Sequence, residues 1–245
     1  MDETKIPNSS EFDTLVVSGG SAKCILLLGS LQYLYDNYLL NKVDKYIGTS
    51  AGAIIIYLLV IGYRPVEIIV YLCTNQLLEK IKHFNIMAMF NGQGAASFLP
   101  IHEQLEKMTI EKIGYLPTMK DIKEKLKKTF ICVTHNRTQR KTVELSHESH
   151  PDLPCLIAIR MSANLPFIFE KFKYGDDFFI DGGVSNNFPI DIGDRIGKNI
   201  LGIILQDENA NHNTNINASF LDEVYQILFT PIYQTIEYRI SNVSK

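Results

Sequence analysis

The sequence predicts an α/β fold with three layers, α/β/α, around a mostly parallel central sheet. Short strand-like apolar runs alternate with longer helix-like runs, which is typical of parallel strands joined by crossover helices. At 245 residues with 46% hydrophobic content, the chain has the size of one large domain with an ample core. We therefore expect a single domain over 1–245, with the sequence motifs within about 13–205 and a C-terminal helical segment at 206–245.

Hydrophobic periodicity and turn signals place the individual elements. Strands are predicted at 13–18, 43–48, 129–135, 141–145, 177–180 and 199–205. Helices are predicted at 24–40, 51–62, 64–82, 100–108, 119–128, 152–164 and 219–240. Asp152 is expected to cap the helix that leads to Ser162, and Pro166 to stop that helix.

The second predicted strand is followed by Gly48-Thr49-Ser50-Ala51-Gly52 and then by an apolar helix. Strand, sharp turn and helix form the context in which a G-x-S-x-G motif lifts a serine hydroxyl out of a sheet. Side chains at Gly48 and Gly52 would collide where the strand and the helix come together. Ser50 is therefore a candidate nucleophile, although five residues of this form fit a turn without chemistry equally well.

The first predicted strand ends in Gly19-Gly20, and Ser21 and Lys23 precede a helix. Backbone N–H groups at such a helix start form an anion-binding nest, and Lys23 adds positive charge at its edge. The phosphate-loop spacings G-x-G-x-x-G and G-x-x-x-x-G-K-S/T are both absent. The oxyanion of an acyl-transfer reaction is then the fitting anion, and a tight turn with a surface lysine is the simpler alternative.

A third strand-like run, Phe178–Ile180, ends at Asp181–Gly183, and Asn187 and Pro189 follow. An aspartate at the end of a buried strand, beside two glycines, has room to meet another side chain, although Asp-Gly-Gly is also common in turns. The combination of three such motifs, each directly after a strand, indicates a site rather than three unrelated turns.

With these motifs the chain resembles the patatin-like phospholipase family. The matches cover the family's glycine-rich loop, its G-x-S-x-G elbow, its S-x-x-x-P-x-x-F element and its D-G-G/A motif with a following Asn and Pro. In chain order they are Gly19, Gly20 and Lys23; Gly48, Ser50 and Gly52; Ser162, Pro166 and Phe169; and Asp181, Gly182, Gly183, Asn187 and Pro189. Ser21 and Cys24 depart from the family's loop, G-G-G-x-R/K-G, because they stand where glycine is usual.

The resemblance implies a lipid acyl hydrolase, a serine esterase of the phospholipase A type. Its substrates would be fatty acyl esters of phospholipids or related lipids, cleaved through an acyl-enzyme intermediate without a cofactor or metal. Ser50 would be the nucleophile and Asp181 the general base. The N–H groups of Gly19, Gly20 and Ser21 would hold the oxyanion. Lys23, Gly48, Gly52, Gly182 and Gly183 would support the site.

An aspartate is a poor base at its ordinary pKa, so this mechanism needs an environment that raises the pKa of Asp181. Burial against apolar side chains has that effect on a carboxylate. The sequence offers three phenylalanines as neighbours, at positions 178, 179 and 188.

Two alternatives stay open. A catalytically impaired lipid-binding or regulatory protein on the same fold would account for Ser21 and Cys24. An α/β-hydrolase with the order Ser…Asp…His would use His212, which lies in a polar, asparagine-rich stretch. Such hydrolases place the elbow after more strands than the two that precede Ser50, which favours the patatin arrangement.

Composition bounds the partners and the compartment. The net charge of −3 and the lack of a basic stripe with interleaved aromatics argue against nucleic acid. The basic run 120–128 is predicted as a solvated helix face, with weak binding to anionic membranes as the alternative. The four scattered cysteines are expected to be free thiols in a reducing compartment.

The remaining expectations concern membranes. The polar, acidic first seven residues predict no signal peptide, and the longest apolar run, 51–62, is too short to span a bilayer. We therefore expect an intracellular protein, cytoplasmic or in peripheral contact with a membrane. The apolar stretch 84–100 is predicted to be a lid or an acyl-chain groove, or else a core-facing connection.

Overall fold

The computed structural model describes residues 12–74, 86–91 and 94–205, with single positions 230, 236, 238, 240 and 241. Three sequence predictions fall wholly or mostly outside these residues. They are the polar N-terminal segment, the candidate His212 and the helix over 219–240.

Seven strands form one mixed sheet within the described residues. The strand order is β5-β6-β3-β2-β1-β7, and β4 pairs with β3 off this path. β7, β1, β2 and β3 run parallel, whereas β4 and β6 are antiparallel to β3 and β5 is antiparallel to β6. The strands are β1 Thr14–Val17, β2 Lys45–Thr49, β3 Thr129–Asn136, β4 Lys141–Leu145, β5 Phe172–Tyr174, β6 Asp177–Asp181 and β7 Ile200–Ile203.

Helices follow most of the strands. A 3₁₀ turn over Ser21–Cys24 leads into the first of them. The helices are α1 Ile25–Asp36, α2 Ala51–Val60, α3 Pro65–Thr74, α4 Ile86–Phe90, α5 Leu99–Ile113, α6 Met119–Leu126, α7 Cys155–Ser162, α8 Gly183–Asn186 and α9 Ile190–Ile196.

Alternating residues of the strands belong to two hydrophobic cores, one on each face of the sheet. Leu15 and Val17 of β1 join the larger core, which is closed by α1, α2, α5, α6 and α7. Val16 between them joins the smaller core, with Ile190 and Ile192 of α9. A strand has a side-chain period of two, so this split requires helices on both faces. The predicted three-layer α/β fold is confirmed, with antiparallel strands at one side of the sheet.

All six predicted strands are present, and the helix boundaries show the main differences. β5 was not predicted; only three residues long, it carries little periodicity. The helix predicted over 100–108 continues to Ile113 and ends at Gly114, whose φ of 82° stops it. The prediction of Asp152 as a helix cap is wrong, because α7 begins after Pro154.

The register of β3 brings two chain segments end to end. Its first residues pair with β2, as far as Thr49 opposite Val133. Its last residues pair with β6, starting at Asp181 opposite Thr134. Because β4 pairs with residues in both stretches, β2 and β6 share the other edge of β3. The carboxyl ends of β2 and β6 therefore meet head to head at adjacent positions of β3.

The segment 94–98, part of the predicted lid region, is tied to the chain after α7. Ala95 and Ala96 donate backbone hydrogen bonds to the carbonyls of Phe167 and Ile168, at 2.9 and 2.7 Å. Phe98 is buried, whereas Met87 on α4 is exposed. Residues 95–98 thus form a core-facing connection, and a lid upstream of Gly94 stays a prediction.

A buried cation secures the same region. The Arg160 guanidinium lies 4.3 Å from the centroid of the Phe98 ring and 2.9 Å from the Glu170 carboxylate. Glu170 also accepts a hydrogen bond from the Phe98 N–H at the start of α5, at 3.3 Å. This junction, formed by Arg160, Glu170 and Phe98, joins α7, the loop after it and α5.

The side chain of Lys128 contacts the C-terminal end of the apolar helix α2. Its ammonium group donates to the carbonyls of Leu59 and Val60, at 3.4 and 3.0 Å, in the last turn of α2, where the Leu59 carbonyl also accepts the Gly62 N–H at 3.1 Å. We expect Lys128→Met to lower the free energy of unfolding by about 1–2 kcal/mol in urea titrations. The exposed neighbour Lys127→Met is the control, and an equal loss in both variants would contradict the capping role.

Candidate active site

Ser50 sits at a strained turn between β2 and α2. Its backbone has φ 55° and ψ −128°, a conformation that residues with a side chain rarely adopt. A Cβ at Gly48 would lie 2.8 Å from the Ile56 side chain, and one at Gly52 would overlap the carbonyl oxygens of Val17 and Ser18. The expectation that both glycines are required by close packing is confirmed.

The Ser50 hydroxyl meets the Asp181 carboxylate. Ser50 Oγ donates to Asp181 Oδ2 at 2.5 Å, across 131 positions of the chain. The other carboxylate oxygen accepts the Gly183 N–H at 2.7 Å. A side chain on Gly182 would overlap the carbonyl of Val133. Glycine at this position therefore allows the backbone after Asp181 to pack directly against β3. The site thus joins the two predicted motifs.

Burial dominates the electrostatics of the pair. Asp181 is only 2% exposed and Ser50 only 5%. Loss of water around the carboxylate raises the pKa of Asp181 to about 7, although its hydrogen bonds with Ser50 and Gly183 oppose the shift. A carboxylate with this pKa, bonded to a hydroxyl, can exchange a proton with that hydroxyl near neutral pH.

Of the three phenylalanines predicted to surround the acid, two are buried. Phe179 belongs to the larger core and Phe188 to the smaller one. Phe178 is exposed, so it is not a neighbour that dries the carboxylate. Strand alternation explains this difference, because Phe178 and Asp181 point to opposite faces of β6.

Ser162, which matched a sequence motif but had no expected role, contacts the turn at Ser50. Its hydroxyl accepts the Ser50 N–H at 2.8 Å and donates to the Val133 carbonyl at 2.5 Å. The carbonyls of Ser162 and Asn164 accept the N–H groups of Gly182 and Asp181. The end of α7 therefore holds both the Ser50 turn and the Asp181 turn. Proline at position 166 was the local signal that the helix ends here.

The glycine-rich loop lies directly against the pair. A Cβ on Gly19 would come within 3.1 Å of Ser50 Cβ. The Gly19 N–H already donates to the Asn187 carbonyl at 2.9 Å. Gly20 and Ser21 come next, where the 3₁₀ turn begins and its first N–H groups have no partner within the turn.

The two departures from the family's loop are accommodated. Ser21 is part of the 3₁₀ turn, whose right-handed backbone accepts any L-residue, so no positive φ is demanded of it. Cys24 is buried and its thiol faces the Ser18 carbonyl at 3.7 Å, while burial raises the pKa of Cys24 to about 12. Lys23 is exposed at the edge of the turn.

The described residues offer few other chemical groups near the pair. None of their histidines hydrogen-bonds to the side chain of Ser50 or Asp181. They contain no cluster of three or more His, Cys, Asp or Glu side chains that could hold a metal ion. Cys24, Cys132 and Cys155 are buried free thiols and Cys73 is an exposed one.

The described helices are short relative to the thickness of a bilayer. No single helix among them combines the length and the apolar character needed to cross a bilayer. α2 and α3 meet the length and composition criteria only as a pair, and they are bent by 119° relative to each other.

The raised pKa of Asp181 predicts a pH-dependent gain in stability for Asp181→Asn. Between about pH 4 and pH 7 the unfolded chain ionises this carboxyl while the folded chain keeps it protonated, so wild-type stability falls as pH rises. Asn lacks this penalty. We expect the melting temperature of Asp181→Asn, relative to wild type, to be higher at about pH 8 than at about pH 4.5.

Thermal unfolding of wild type, Asp181→Asn and the exposed Asp176→Asn at both pH values checks this expectation. Asp176→Asn removes a carboxylate from the same hairpin and corrects for the general effect of lost charge. A difference between Asp181→Asn and wild type that is the same at both pH values would show that Asp181 is ionised throughout.

Comparison with known proteins places this geometry in a family. Residues 15–194 match the family model described as patatin-like phospholipase. A probable lipid hydrolase, 463L, of Invertebrate iridescent virus 6 is 38% identical over 187 residues, covering 74% of this chain and 63% of that protein. The chain thus spans less than two thirds of that relative's length.

Solved structures show the same fold at low sequence identity. ExoU, in its heterodimeric complex with SpcU from the type III secretion system of Pseudomonas aeruginosa, aligns with a TM-score of 0.53 at 17% identity, over 94% of this chain and 52% of that one. VipD from Legionella pneumophila aligns with a TM-score of 0.50 at 18% identity, over 73% and 47%. The family match covers most of the chain, and the chain belongs to the patatin-like phospholipase family.

Proposed function

We propose that this protein is a lipid acyl hydrolase of the phospholipase A type that uses a Ser50–Asp181 dyad. The observation that carries the proposal is the 2.5 Å hydrogen bond from the Ser50 hydroxyl, at a strained strand-to-helix turn, to a buried carboxylate. Membership of the patatin-like phospholipase family supports lipid ester hydrolysis as the reaction class.

In the first half-reaction Ser50 Oγ attacks the carbonyl carbon of the ester, and its proton passes to Asp181 Oδ2. The carbonyl oxygen becomes an oxyanion in the tetrahedral intermediate. When this intermediate collapses, the ester C–O bond breaks and Asp181 returns the proton to the leaving alcohol. In the second half-reaction water attacks the acyl-enzyme, Asp181 again takes a proton, and the fatty acid leaves as Ser50 recovers its hydrogen.

The glycine-rich loop is the proposed oxyanion site. Gly20 precedes the 3₁₀ turn and Ser21 is its first residue. Their N–H groups have no acceptor within the turn, so they are suited to stabilise a developing negative charge. The Gly19 N–H donates to the Asn187 carbonyl, so Gly19, expected from the sequence to be a third donor, is not proposed as one. Its lack of a side chain instead lets the loop approach Ser50 closely. Lys23 adds positive charge at the rim of the loop.

Exposed apolar side chains follow three of the four motifs and suit peripheral contact with a lipid surface. Leu26 follows the glycine-rich loop, Phe167 follows the end of α7 and Val184 follows Asp181, and these are 68%, 54% and 39% exposed. Each of these segments follows a loop or turn that contacts Ser50 or Asp181 directly. An enzyme that draws acyl chains from a bilayer needs such apolar surface around its site.

A lipid-binding protein without turnover is the second candidate. The observation that favours it is serine at position 21, in the loop that would hold the oxyanion. The right-handed 3₁₀ backbone at Ser21 retains the N–H that the oxyanion needs and favours the enzyme.

The deciding experiment measures fatty acid release from mixed vesicles of phosphatidylcholine, phosphatidylethanolamine and phosphatidylglycerol. We expect Ser50→Ala and Asp181→Asn each to lose about a thousandfold or more of turnover, because each removes one of two groups that act as a unit. Ser30→Ala, on the exposed face of α1, and Asp176→Asn are the matched controls. Because the steps use side chains of the chain itself, chelator should leave turnover unchanged.

Three outcomes separate the candidates. Wild-type turnover that both site variants abolish supports the hydrolase. Wild-type turnover that survives Ser50→Ala refutes the dyad. Vesicle binding by wild type without any release of fatty acid favours the lipid-binding protein.

The pH dependence of turnover follows from the raised pKa of Asp181. A general base must be deprotonated, so kcat/KM should be low at acid pH and rise with a midpoint near the pKa of about 7. The profile is measured with an uncharged soluble ester, so that only the enzyme titrates. Activity that is constant from about pH 5 to about pH 9, or that falls over this range, would contradict Asp181 as the base.

A further inference from the structure

Asn187 forms hydrogen bonds to the glycine-rich loop through both its backbone and its side chain. Its carbonyl accepts the Gly19 N–H at 2.9 Å, and its Nδ2 donates to the Gly19 carbonyl at 3.2 Å. Its Oδ1 fills the space where side chains on Gly19 or Gly183 would lie. Asn187 is only 8% exposed and is packed between the loop after β1 and the turn after β6.

The bond to the Gly19 carbonyl has a geometric consequence for Gly20. The Gly19 C=O and the Gly20 N–H belong to the same planar trans peptide group, and they point in opposite directions. Fixing the carbonyl towards Asn187 therefore fixes the Gly20 N–H away from it. A glycine pair needs such a restraint, because without a Cβ on either side the peptide plane turns over with little steric hindrance.

We propose that Asn187 is a positioning residue that orients the Gly20 N–H towards the oxyanion; this inference rests on the proposed function. Without the Asn187 amide, the Gly19–Gly20 peptide can rotate, and a carbonyl oxygen then takes the place of the N–H donor. A carbonyl oxygen repels a developing negative charge, whereas an oriented N–H stabilises it. Asn187 itself touches neither the reacting atoms nor the substrate in this role.

The role is separate from proton transfer. The Asp181 carboxylate is bonded to Ser50 and Gly183, and the Asn187 amide donates to Gly19 instead. Asparagine also does not titrate. Loss of its amide should therefore weaken stabilisation of the transition state while leaving the proton exchange between Ser50 and Asp181 in place. This combination distinguishes orientation of the oxyanion site from a general loss of structure.

The test compares wild type, Asn187→Ala and the nearly isosteric Asn187→Asp, whose carboxylate cannot donate to a carbonyl. The matched control is Asn186→Ala, which removes the adjacent buried amide, one that donates to Asp191 at 3.1 Å. With a soluble ester we expect both Asn187 variants to lose about tenfold or more in kcat, with KM within about twofold of wild type. In Asn187→Ala, which adds no charge beside Asp181, the midpoint of the pH profile should also be unmoved. Affinity for a trifluoromethyl ketone, which forms an oxyanion on Ser50, should fall in proportion to kcat.

A change in KM alone, a shifted pH midpoint in Asn187→Ala, or equal losses of kcat in Asn187→Ala and Asn186→Ala would overturn the proposal. Wild-type turnover in the same assay tests the proposed function separately. A measurement without substrate tests the orientation itself, using protein labelled with ¹⁵N-glycine. The Gly19 and Gly20 amide resonances should move in Asn187→Ala and stay in place in Asn186→Ala. If they also stay in place in Asn187→Ala, Asn187 does not set the direction of this peptide.

Discussion

The geometry of the site depends on the pairing of a single strand edge. β3 carries the end of β2 and the end of β6 on the same edge, at Val133 and Thr134. Because these two strands run in opposite directions, their last residues face each other across one position of the ladder. Ser50 and Asp181 are 131 residues apart in the chain, and this pairing brings their side chains to 2.5 Å. The hydroxyl of Ser162, bonded to the Val133 carbonyl, adds a third group at the same point.

The same pairing produces a conflict between stability and chemistry. A carboxylate at the buried end of a strand loses its water, and in the ionised form it destabilises the fold. The turn at Ser50 adds backbone strain. Both unfavourable features meet at one contact, and the rest of the sheet must compensate for them. Several destabilising features in one place are typical of functional sites, where reactive groups are held in position at the expense of folding stability.

Local features of this site could be predicted from the sequence, whereas its long-range contacts could not, apart from the pairing of Ser50 with Asp181 that the family resemblance implied. Ser50, Gly48 and Gly52 could be assigned from sequence, because a strained turn and the glycines that permit it are local properties. The Ser162 and Asn187 contacts could not, because they connect residues 112 and 168 positions apart. The antiparallel direction of β6 was also hidden, since the alternation of its side chains is the same in either orientation. The end of α5 was placed too early, although Gly114 is a common helix-ending residue, and Asp152 was misplaced because the helix begins after Pro154 instead.

The junction of Arg160, Glu170 and Phe98 has a consequence for how the protein responds to ionic strength. Ion pairs on a protein surface weaken as salt screens them, whereas a charge enclosed by side chains is screened much less. The Arg160 side chain is only 6% exposed and lies beside three phenylalanine rings. The contacts of Arg160 with these rings therefore persist in dilute and concentrated salt alike, whereas its pairing with the Glu170 side chain, 42% exposed, is open to screening. Salt can thus screen the charges on the protein surface without loosening the contacts of Arg160 beside the candidate site.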